Sequence, residues 1–490
     1  MLRQNHTVSL FALLFKIAAC LLMGAWLASV WVPAAAAQEA PVLQRLIDDG
    51  LQSNLALRQQ EIDLQRSRQV LRAVRGGFFP ALSVQARYTR AAGGRTIDLP
   101  TGDLVNPAYQ TLNDLLAARG EDAPFPTVEN QEIRFLRERE QETTLQLRQP
   151  LFAPRVWYGT RAQRHQVVSE EASVDAFRRE LVRDIKTAYY RVRQAERAID
   201  ILDAAERLVA ENRRANERLY AANAVTQDAV FRAEVEALDV QQQRAEARAR
   251  YDRARRQLNV LVNRPLDAPL DTARVPARDL VARETARVMT PLQATLQPAA
   301  ESNLVPTPSA VDGAQRPELE ALQAAAAAAD DQRRLAQSAY LPEVSLAVDG
   351  GIQGTSYGVT GDRPFVMASV VLRWNLFNGF TDAARTEQAA LTARRLRTQR
   401  EETARRIRQQ VLSAWDDVQI AQRSLQTAQA RVRAARESFR ITNRRAEEGR
   451  ANPVTFLDAR TTLTDAALNL SITRFELLTR LAELEFAAGL

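Results

Sequence analysis

The sequence predicts a mostly helical α+β fold built from two copies of one unit. The first observation is repetition, because FFPALSV at 78–84 returns as YLPEVSL at 340–346, and LRQPLF at 147–152 returns as LRWNLF at 372–377. The second is a set of four short stretches with strand periodicity, and the third is a pair of long helical stretches without internal proline. Each half of the chain is therefore expected to contribute the same elements.

A further landmark sets the register of the two copies. YAANAVTQDAVFRA, which ends at Ala233, aligns with AEEGRANPVTFLDA, which ends at Ala459. The offset between copies is 226 here but 262 at Pro80 and Pro342, so one length difference lies between the two landmarks. We predict a first repeat over 38–264, a proline-rich linker midway along the helices over 265–316, and a second repeat over 317–490.

The first 37 residues are predicted to be an export signal. Arg3 and Lys16 supply positive charge, an apolar core runs over 17–32, and three alanines end at Ala37 before the cleavage point. A lipoprotein signal is the alternative, because IAAC ends at Cys20. Lys16 would interrupt the apolar run of such a signal, so we favour cleavage near Ala37 and export across the inner membrane of a bacterium.

Composition argues against several classes of function. The formal net charge is +7, and the arginines that produce it are interleaved with Asp and Glu, which argues against nucleic-acid binding. After the signal segment the chain has one histidine, His165, and no cysteine, so His-based triads, thiolate chemistry and zinc motifs are not available. GGIQG at 350–354 lacks the lysine and the helix of a phosphate-binding loop. We predict neither an enzyme nor a bound cofactor or metal.

Four stretches alternate apolar and polar side chains. They are predicted strands at about 81–90, 143–152, 343–353 and 365–377. In the first, Leu82 and Val84 share one face and Gln85 lies on the other. A tilted strand of this length crosses a bilayer, although a half-buried strand of a soluble sheet alternates in the same way. Because everything around them is helical, we favour membrane strands. Four strands cannot close a barrel and lipid does not tolerate open edges, so several copies must assemble.

Long helices make up most of the remainder. They are predicted at 155–222 and 381–448, with returning helices at 226–262 and 453–488 and shorter helices at 44–76 and 317–339. Large residues alternate with alanine at heptad spacing, as at Val411, Ala414 and Val418. At 1.5 Å per residue the long helices extend about 100 Å and the returning helices about 55 Å. A plain two-stranded coiled coil is the alternative, which the duplication disfavours.

Together these landmarks resemble the TolC-like outer-membrane efflux family over nearly all of 42–485. The resemblance implies a homotrimer in which four strands per chain form a twelve-stranded transmembrane β-barrel in the cell outer membrane. The barrel is continuous with a long α-helical barrel in the periplasm. It further implies a channel that receives small toxic compounds from an inner-membrane transporter through a periplasmic adaptor protein. An outer-membrane conduit for type I protein secretion has the same architecture and remains open, as does a periplasmic coiled-coil structural protein.

The resemblance also assigns two sites near the turns between long and returning helices. The adaptor-docking tip comprises Asn223, Val225, Thr226, Gly449, Ala451, Asn452 and Pro453. The periplasmic aperture comprises Asp458 and Thr455, and Thr455 stands where the family often has a second aspartate. A threefold ring of Asp458 carboxylates would favour cations. The alternatives are that the tip residues only turn the chain and that Asp458 interacts with the helix dipole.

The loop between the first two strands, 90–142, is about 37 residues longer than its counterpart in the second repeat. It holds several glycines and prolines and a charged stretch at 129–142. We predict an elaborated extracellular loop that partly caps the barrel, with a disordered excursion as the alternative.

Overall fold

The computed structural model of the chain describes residues 42–122, 124–270, 277–296, 316–356, 363–448, 450 and 452–490. The predicted export signal lies outside these residues. The chain divides into two compact units. The strand unit comprises Leu64–Glu170 and Ala321–Gln399, and the helical unit comprises the described residues of Met1–Asp63, Glu171–Glu320 and Arg400–Leu490.

Helices account for most of the described chain. They are α1 (Val42–Ser53), α2 (Leu55–Gly76), α3 (Thr101–Ala118), α4 (Pro154–Ala221), α5 (Gln227–Leu261), α6 (Ala277–Leu296), α7 (Pro317–Gln337), α8 (Thr381–Glu447) and α9 (Pro453–Ala488). A 3-10 turn at Ser338–Tyr340 follows α7. In the described part of the chain, every helix is too short or too polar to span a bilayer.

The strands form two antiparallel sheets within the strand unit. They are β1 (Ala81–Arg90), β2 (Thr96–Leu99), β3 (Gln131–Arg134), β4 (Arg139–Phe152), β5 (Glu343–Gly354) and β6 (Pro364–Arg373). The larger sheet has the order β1-β4-β5-β6, and the smaller sheet pairs β2 with β3. Since β4 ends the first repeat's hairpin and β5 begins the second's, the two repeats meet at the centre of the larger sheet.

The last strand is shorter than predicted. It ends at Arg373 and not at residue 377. Its final ladder pair joins Arg373 to Glu343. Pro342 precedes Glu343 and has no N–H to donate, so the ladder stops there. The indole N–H of Trp374 instead donates to the carbonyl of Tyr340 at 3.1 Å.

The two edge strands expose their predicted apolar faces. Leu82 and Val84 of β1 are 64% and 69% exposed, and Val366 and Val370 of β6 are 81% and 69% exposed. Leu82 and Val84 alternate with small or polar neighbours along β1, as the period of two requires, whereas Val366 and Val370 of β6 also have large apolar neighbours. The sheet therefore presents apolar surface that no other described part of the chain covers.

The long loop between β1 and β4 is folded. The side chain of Asn106 pairs with the backbone of Val128 through two hydrogen bonds of 2.8 Å each. Asn113 pairs in the same manner with the backbone of Phe125, at 2.8 and 3.2 Å. These amides bind the returning segment to α3 as a neighbouring strand would. The structure therefore contradicts the alternative of a disordered excursion for the described residues of this loop.

Each repeat begins with a side chain that hydrogen-bonds the end of that repeat's returning helix. The amide of Asn54 donates to the carbonyl of Leu261 at 2.8 Å. Arg316 Nη1 donates to the carbonyls of Phe486 and Ala487 at 2.7 and 2.8 Å. Asn54 and Arg316 are 262 positions apart, and Leu261 and Ala487 are 226 apart, which are the offsets of the sequence landmarks. The duplication is thus repeated in tertiary contacts.

Asn54 also interrupts the helix predicted over 44–76. Its side-chain oxygen accepts a hydrogen bond from the N–H of Leu57 at 2.9 Å, which caps α2. The Ser53 hydroxyl lies 2.8 Å from the carbonyl of Val262. These contacts separate α1 from α2, a break that helical periodicity alone does not indicate.

The segment predicted as a proline-rich linker contains α6. Buried residues on one of its faces, Val288, Met289 and Leu292, pack with Val418 and Leu425 of α8 and with Leu477, Leu481 and Leu484 of α9. The helix includes Pro291, which removes a hydrogen bond. Burial of the apolar face supplies the stability that its local sequence lacks, because most helical stability in proteins comes from tertiary packing.

A cluster of charged side chains also links α6 to α4 and α9. Glu485 of α9 accepts hydrogen bonds from Arg287 of α6 at 2.7 Å on each oxygen, and from Lys186 of α4 at 2.6 and 2.7 Å. Burial by itself raises the pKa of the Glu485 carboxyl, but the hydrogen bonds from Arg287 and Lys186 lower it overall. Burial also raises the pKa of the neighbouring Tyr190 hydroxyl well above its usual value.

Candidate functional site

The first predicted tip is a helix-ending turn centred on Asn223. This residue has a φ of 55°, in the left-handed region that asparagine tolerates better than most residues. The N–H of Ala224 donates to the carbonyl of Leu219 at 2.8 Å, and the N–H of Asn223 donates to the carbonyl of Tyr220 at 2.9 Å. This pair of bonds is the Schellman arrangement that ends many helices. Asn223 therefore performs the role expected of glycine and terminates α4.

Thr226 begins the returning helix α5 without a side-chain cap. Its backbone is extended, with φ −79° and ψ 160°, but its hydroxyl makes no capping hydrogen bond. The Thr226 side chain is exposed and that of Val225 is half-buried. Because the Thr226 side chain does not hold the turn, it is available for contact with another protein.

The second predicted tip ends α8 and begins α9. The N–H of Arg450 donates to the carbonyl of Arg445 at 2.7 Å, a bond of the type that ends α4. The Asn452 side chain accepts from the N–H of Val454 at 2.9 Å, and Pro453 occupies the first helical position, where an N–H is not needed. Two predicted tip residues lie outside the described residues: Gly449 and Ala451.

The two predicted aperture residues, Thr455 and Asp458, are both exposed on α9. Between them, Phe456 is buried, with its ring 5.7 Å from that of Phe439. Asp458 has no ion-pair partner in the described part of the chain. The first turn of α9 holds no acidic residue, and the helix dipole acts mainly within that turn. The alternative dipole role for Asp458 is therefore not supported.

A buried arginine next to this segment was missed at the sequence level. Arg460 is 2% exposed and pairs with Glu236 of α5, while the Thr461 hydroxyl lies 3.3 Å from the same carboxylate. Nε and Nη1 of Arg460 have no hydrogen-bond partner among the described residues, and burial lowers the pKa of its guanidinium. Its position four residues after Phe456, on the apolar stripe of α9, was the available signal.

Aromatic side chains gather at the strand ends nearest the helices. The start of β1 pairs with the end of β4 at Ala81↔Arg148, and the start of β5 pairs with the end of β6 at Glu343↔Arg373. These four strand termini therefore lie at the same end of the sheet. Exposed aromatic residues near these ends, here called the aromatic girdle, are Phe79, Phe152, Trp157, Tyr340, Trp374, Phe377 and Phe380. Aromatic girdles flank the apolar band of membrane-spanning strands at the bilayer surface. The recurrence of these residues beside each predicted strand could have revealed the girdle from sequence.

The histidine singled out by composition has a structural setting. His165 Nε2 lies 3.6 Å from a carboxylate oxygen of Asp331, which is also approached by Arg161 at 3.4 Å and Arg334 at 2.8 Å. Asp331 is buried, and Arg161 of α4 and Arg334 of α7 balance its negative charge. Within the described ranges, no group of three or more His, Cys, Asp or Glu residues is placed to hold a metal ion.

Comparison with known proteins places these features in a family. The family model described as Outer membrane efflux protein matches residues 46–264 and 313–490. No curated protein matches the sequence.

Solved channel structures share the fold at low sequence identity. The open state of the Neisseria gonorrhoeae MtrE outer membrane channel is 19% identical over 92% of this chain and 89% of that chain, with a TM-score of 0.70. The Campylobacter jejuni CmeC outer membrane channel is 14% identical over 91% of this chain and 85% of that chain, with a TM-score of 0.70. The Vibrio cholerae outer membrane protein VceC is 17% identical over 91% and 96%, with a TM-score of 0.68. These likenesses show that the predicted fold class is correct.

Proposed function

The chain belongs to the outer membrane efflux protein family, and on that basis we propose that it is the outer-membrane channel of a tripartite efflux system. It is an outer-membrane protein that extends into the periplasm. The proposed assembly is a homotrimer that receives small toxic compounds from an inner-membrane pump through a periplasmic adaptor. In this role the protein is a passive conduit and not an enzyme.

The observation that carries the proposal is the four-stranded sheet with two open edges. β1 and β6 each have one neighbour in the order β1-β4-β5-β6, and both expose apolar side chains. In lipid, every backbone N–H and C=O must be paired, so β1 of one copy must pair with β6 of another. Three copies would supply twelve strands, enough to enclose a pore wider than that of an eight-stranded barrel.

The aromatic girdle also supports strands that cross a membrane. Trp374 and Trp157 are 56% and 58% exposed, although burial of such large side chains is strongly favourable. A membrane–water interface accommodates their apolar rings and polar N–H groups together. The girdle lies where the strands join the helices, so the helices that follow the strands would begin at the membrane surface.

Assembly is tested on protein extracted from outer membranes. Mass measurement in mild detergent is expected to give a trimer, and washing the membranes with urea is expected to leave the protein in the pellet. A monomer that is released into the aqueous fraction would contradict the proposal and favour a periplasmic coiled-coil structural protein.

Deletion and complementation of the gene test whether the channel serves efflux or protein secretion. Loss of the gene is expected to sensitise cells to several unrelated compounds, because a conduit without its own energy source serves a pump. The plasmid-borne gene should restore tolerance. If tolerance were unchanged and one secreted protein disappeared from the medium, type I secretion would replace efflux as the function.

A further inference from the structure

A cavity within the helical unit is not part of either predicted site. It has a volume of about 520 Å³ and lies between α4, α5 and α9. Its apolar walls include Leu202, Ala247, Leu468 and Ile472. Cavities of this size hold small organic ligands, which generally contact apolar walls and a few well-placed polar groups.

The charged residues at this cavity are unbalanced. Arg191 of α4 and Arg253 of α5 line it, and neither has an ion-pair partner in the described part of the chain. A third arginine, Arg250, pairs with Glu246 at 3.0 Å. Asp465 of α9 also lines the cavity, but its charge acts in addition on the buried Arg460. The polar side of the cavity therefore carries an excess of positive charge.

A buried hydroxyl lies in the wall of the cavity. Ser471 lines the cavity, is 5% exposed, and its Oγ has no hydrogen-bond partner among the described residues. A buried polar group without a partner costs free energy, so such groups are normally satisfied. The Oγ is also shielded from solvent, so position 471 marks the wall of the cavity and not a direct contact with its contents.

We propose that this cavity binds a small amphiphilic organic anion. Its apolar body packs against the leucine, isoleucine and alanine side chains, and its acidic group accepts hydrogen bonds from Arg191 and Arg253. Guanidinium groups match carboxylate and sulfonate oxygens through paired N–H donors, which makes these two arginines suited to the acidic end. The inference depends on the helical unit alone and does not require the proposed export function.

The test uses the full-length assembled protein in mild detergent with Ser471→Cys as a reporter. Because Cys20 is the chain's only native cysteine, labelling is assigned to position 471 by peptide mass spectrometry. The rate of labelling by neutral methyl methanethiosulfonate is measured with and without naphthalene-2-sulfonate, whose aromatic body and single sulfonate fit the proposed ligand class. We expect the sulfonate to slow labelling about tenfold at saturation, as an occupied cavity excludes the reagent.

Matched probes and variants separate binding from nonspecific effects. The cation 2-naphthylmethylammonium should not protect the thiol introduced by Ser471→Cys, since it has the same ring with the opposite charge. Arg191→Gln and Arg253→Gln should each raise the sulfonate concentration for half-protection about tenfold, whereas Arg248→Gln, on the same helix as Arg253 but outside the cavity, should leave it unchanged.

Three results would overturn the proposal. Equal protection by the two probes would indicate an apolar pocket without anion preference, and no protection by the sulfonate would exclude the ligand class. A second reporter, Ala198→Cys, completes the test. If the thiols at positions 471 and 198 both fail to react in the assembly, another copy of the chain covers the cavity.

Discussion

Arg316 occupies in the second repeat the place that Asn54 occupies in the first, and each side chain donates to a carbonyl at the end of its own repeat's returning helix. The two residue types differ in length and charge, yet the contact is preserved. The acceptors are Leu261 in the first repeat and Phe486 and Ala487 in the second. Arg316 also lies over the Phe486 ring, 4.6 Å from its centre, and pairs with Glu318 at 2.6 Å. It joins the start and the end of the second repeat.

Replacing Arg316 should therefore destabilise the helical unit. Arg316→Gln removes the guanidinium from the carbonyl of Ala487 and leaves that of Phe486 with only the N–H of Gly489, and should lower the free energy of unfolding by about 1–3 kcal/mol. Arg440→Gln is the control, because Arg440 and Glu437 form an exposed pair on α8 of the kind that contributes little. Urea titration of the assembled protein, followed by circular dichroism, compares the two. Equal midpoints for both variants would contradict this role of Arg316.

The Glu485 cluster predicts a pH dependence of stability. Hydrogen bonds from Arg287 and Lys186 lower the pKa of Glu485 in the folded protein, so the cluster stabilises the fold above the unfolded-state pKa of about 4.3 and loses this effect as pH falls through the folded value. At pH 7, Glu485→Gln should be less stable than the native protein. The gap should narrow as the pH falls below about 4. Melting temperatures of both proteins across pH 3–8 check this, and a gap that widens in acid would contradict it.

The exposed side chains of the first tip are expected to contact the adaptor. Thr226→Arg places a bulky charge at the turn without removing a capping bond, and should abolish export while the trimer and its membrane location persist. Thr427→Arg, an equivalent change in the middle of α8, is the control. Ala451→Arg is predicted to act in the same way at the second tip. Compound tolerance of complemented deletion strains measures the effect. Normal tolerance with Thr226→Arg and Ala451→Arg would mean that these residues only turn the chain.

Asp458 is predicted to line the periplasmic aperture. Three copies around one axis would form a ring of negative charge, so Asp458→Ala should reduce cation selectivity and raise conductance in planar bilayers. Glu211→Ala on α4 removes another exposed carboxylate, also without an ion pair in the described ranges, and serves as the control. If the two variants changed selectivity equally, net charge and not a constriction would explain the effect.

The aromatic girdle is expected to lie at the membrane surface. Single-tryptophan variants that retain Trp157 or Trp374 should lose several-fold of their fluorescence in liposomes of brominated phosphatidylcholine. Trp415 packs on the α8–α9 core of the helical unit and should be unaffected. Equal quenching at all three positions, or none at Trp374, would place the girdle elsewhere.

Much of the architecture followed from local patterns. The period of two in the strands and the heptads of the long helices record which face of an element is apolar. The duplicated landmarks record that both repeats use the same elements in the same order. The first and last residues of β1, β5, α8 and α9 accordingly lie within a few residues of the predicted bounds. Which residues form the tip and aperture came from the family resemblance, and all of these assignments remain predictions.

What the sequence alone did not reveal depends on partners that are distant along the chain. The fold of α6 relies on apolar side chains of α8 and α9, and the break at Asn54 relies on a carbonyl 207 positions away. The end of β6 relies on Pro342, which directly precedes the neighbouring strand β5. Arg460 and Ser471 gain their significance from burial, which no local pattern of charge or hydroxyl groups reports. The sequence by itself determined the class of fold and the order of the four strands of the larger sheet and of the long and returning helices, because periodicity is local. Only the tertiary structure decided where helices break, which polar groups are buried and where a cavity forms, because those depend on the free energy of contacts between segments far apart in the chain.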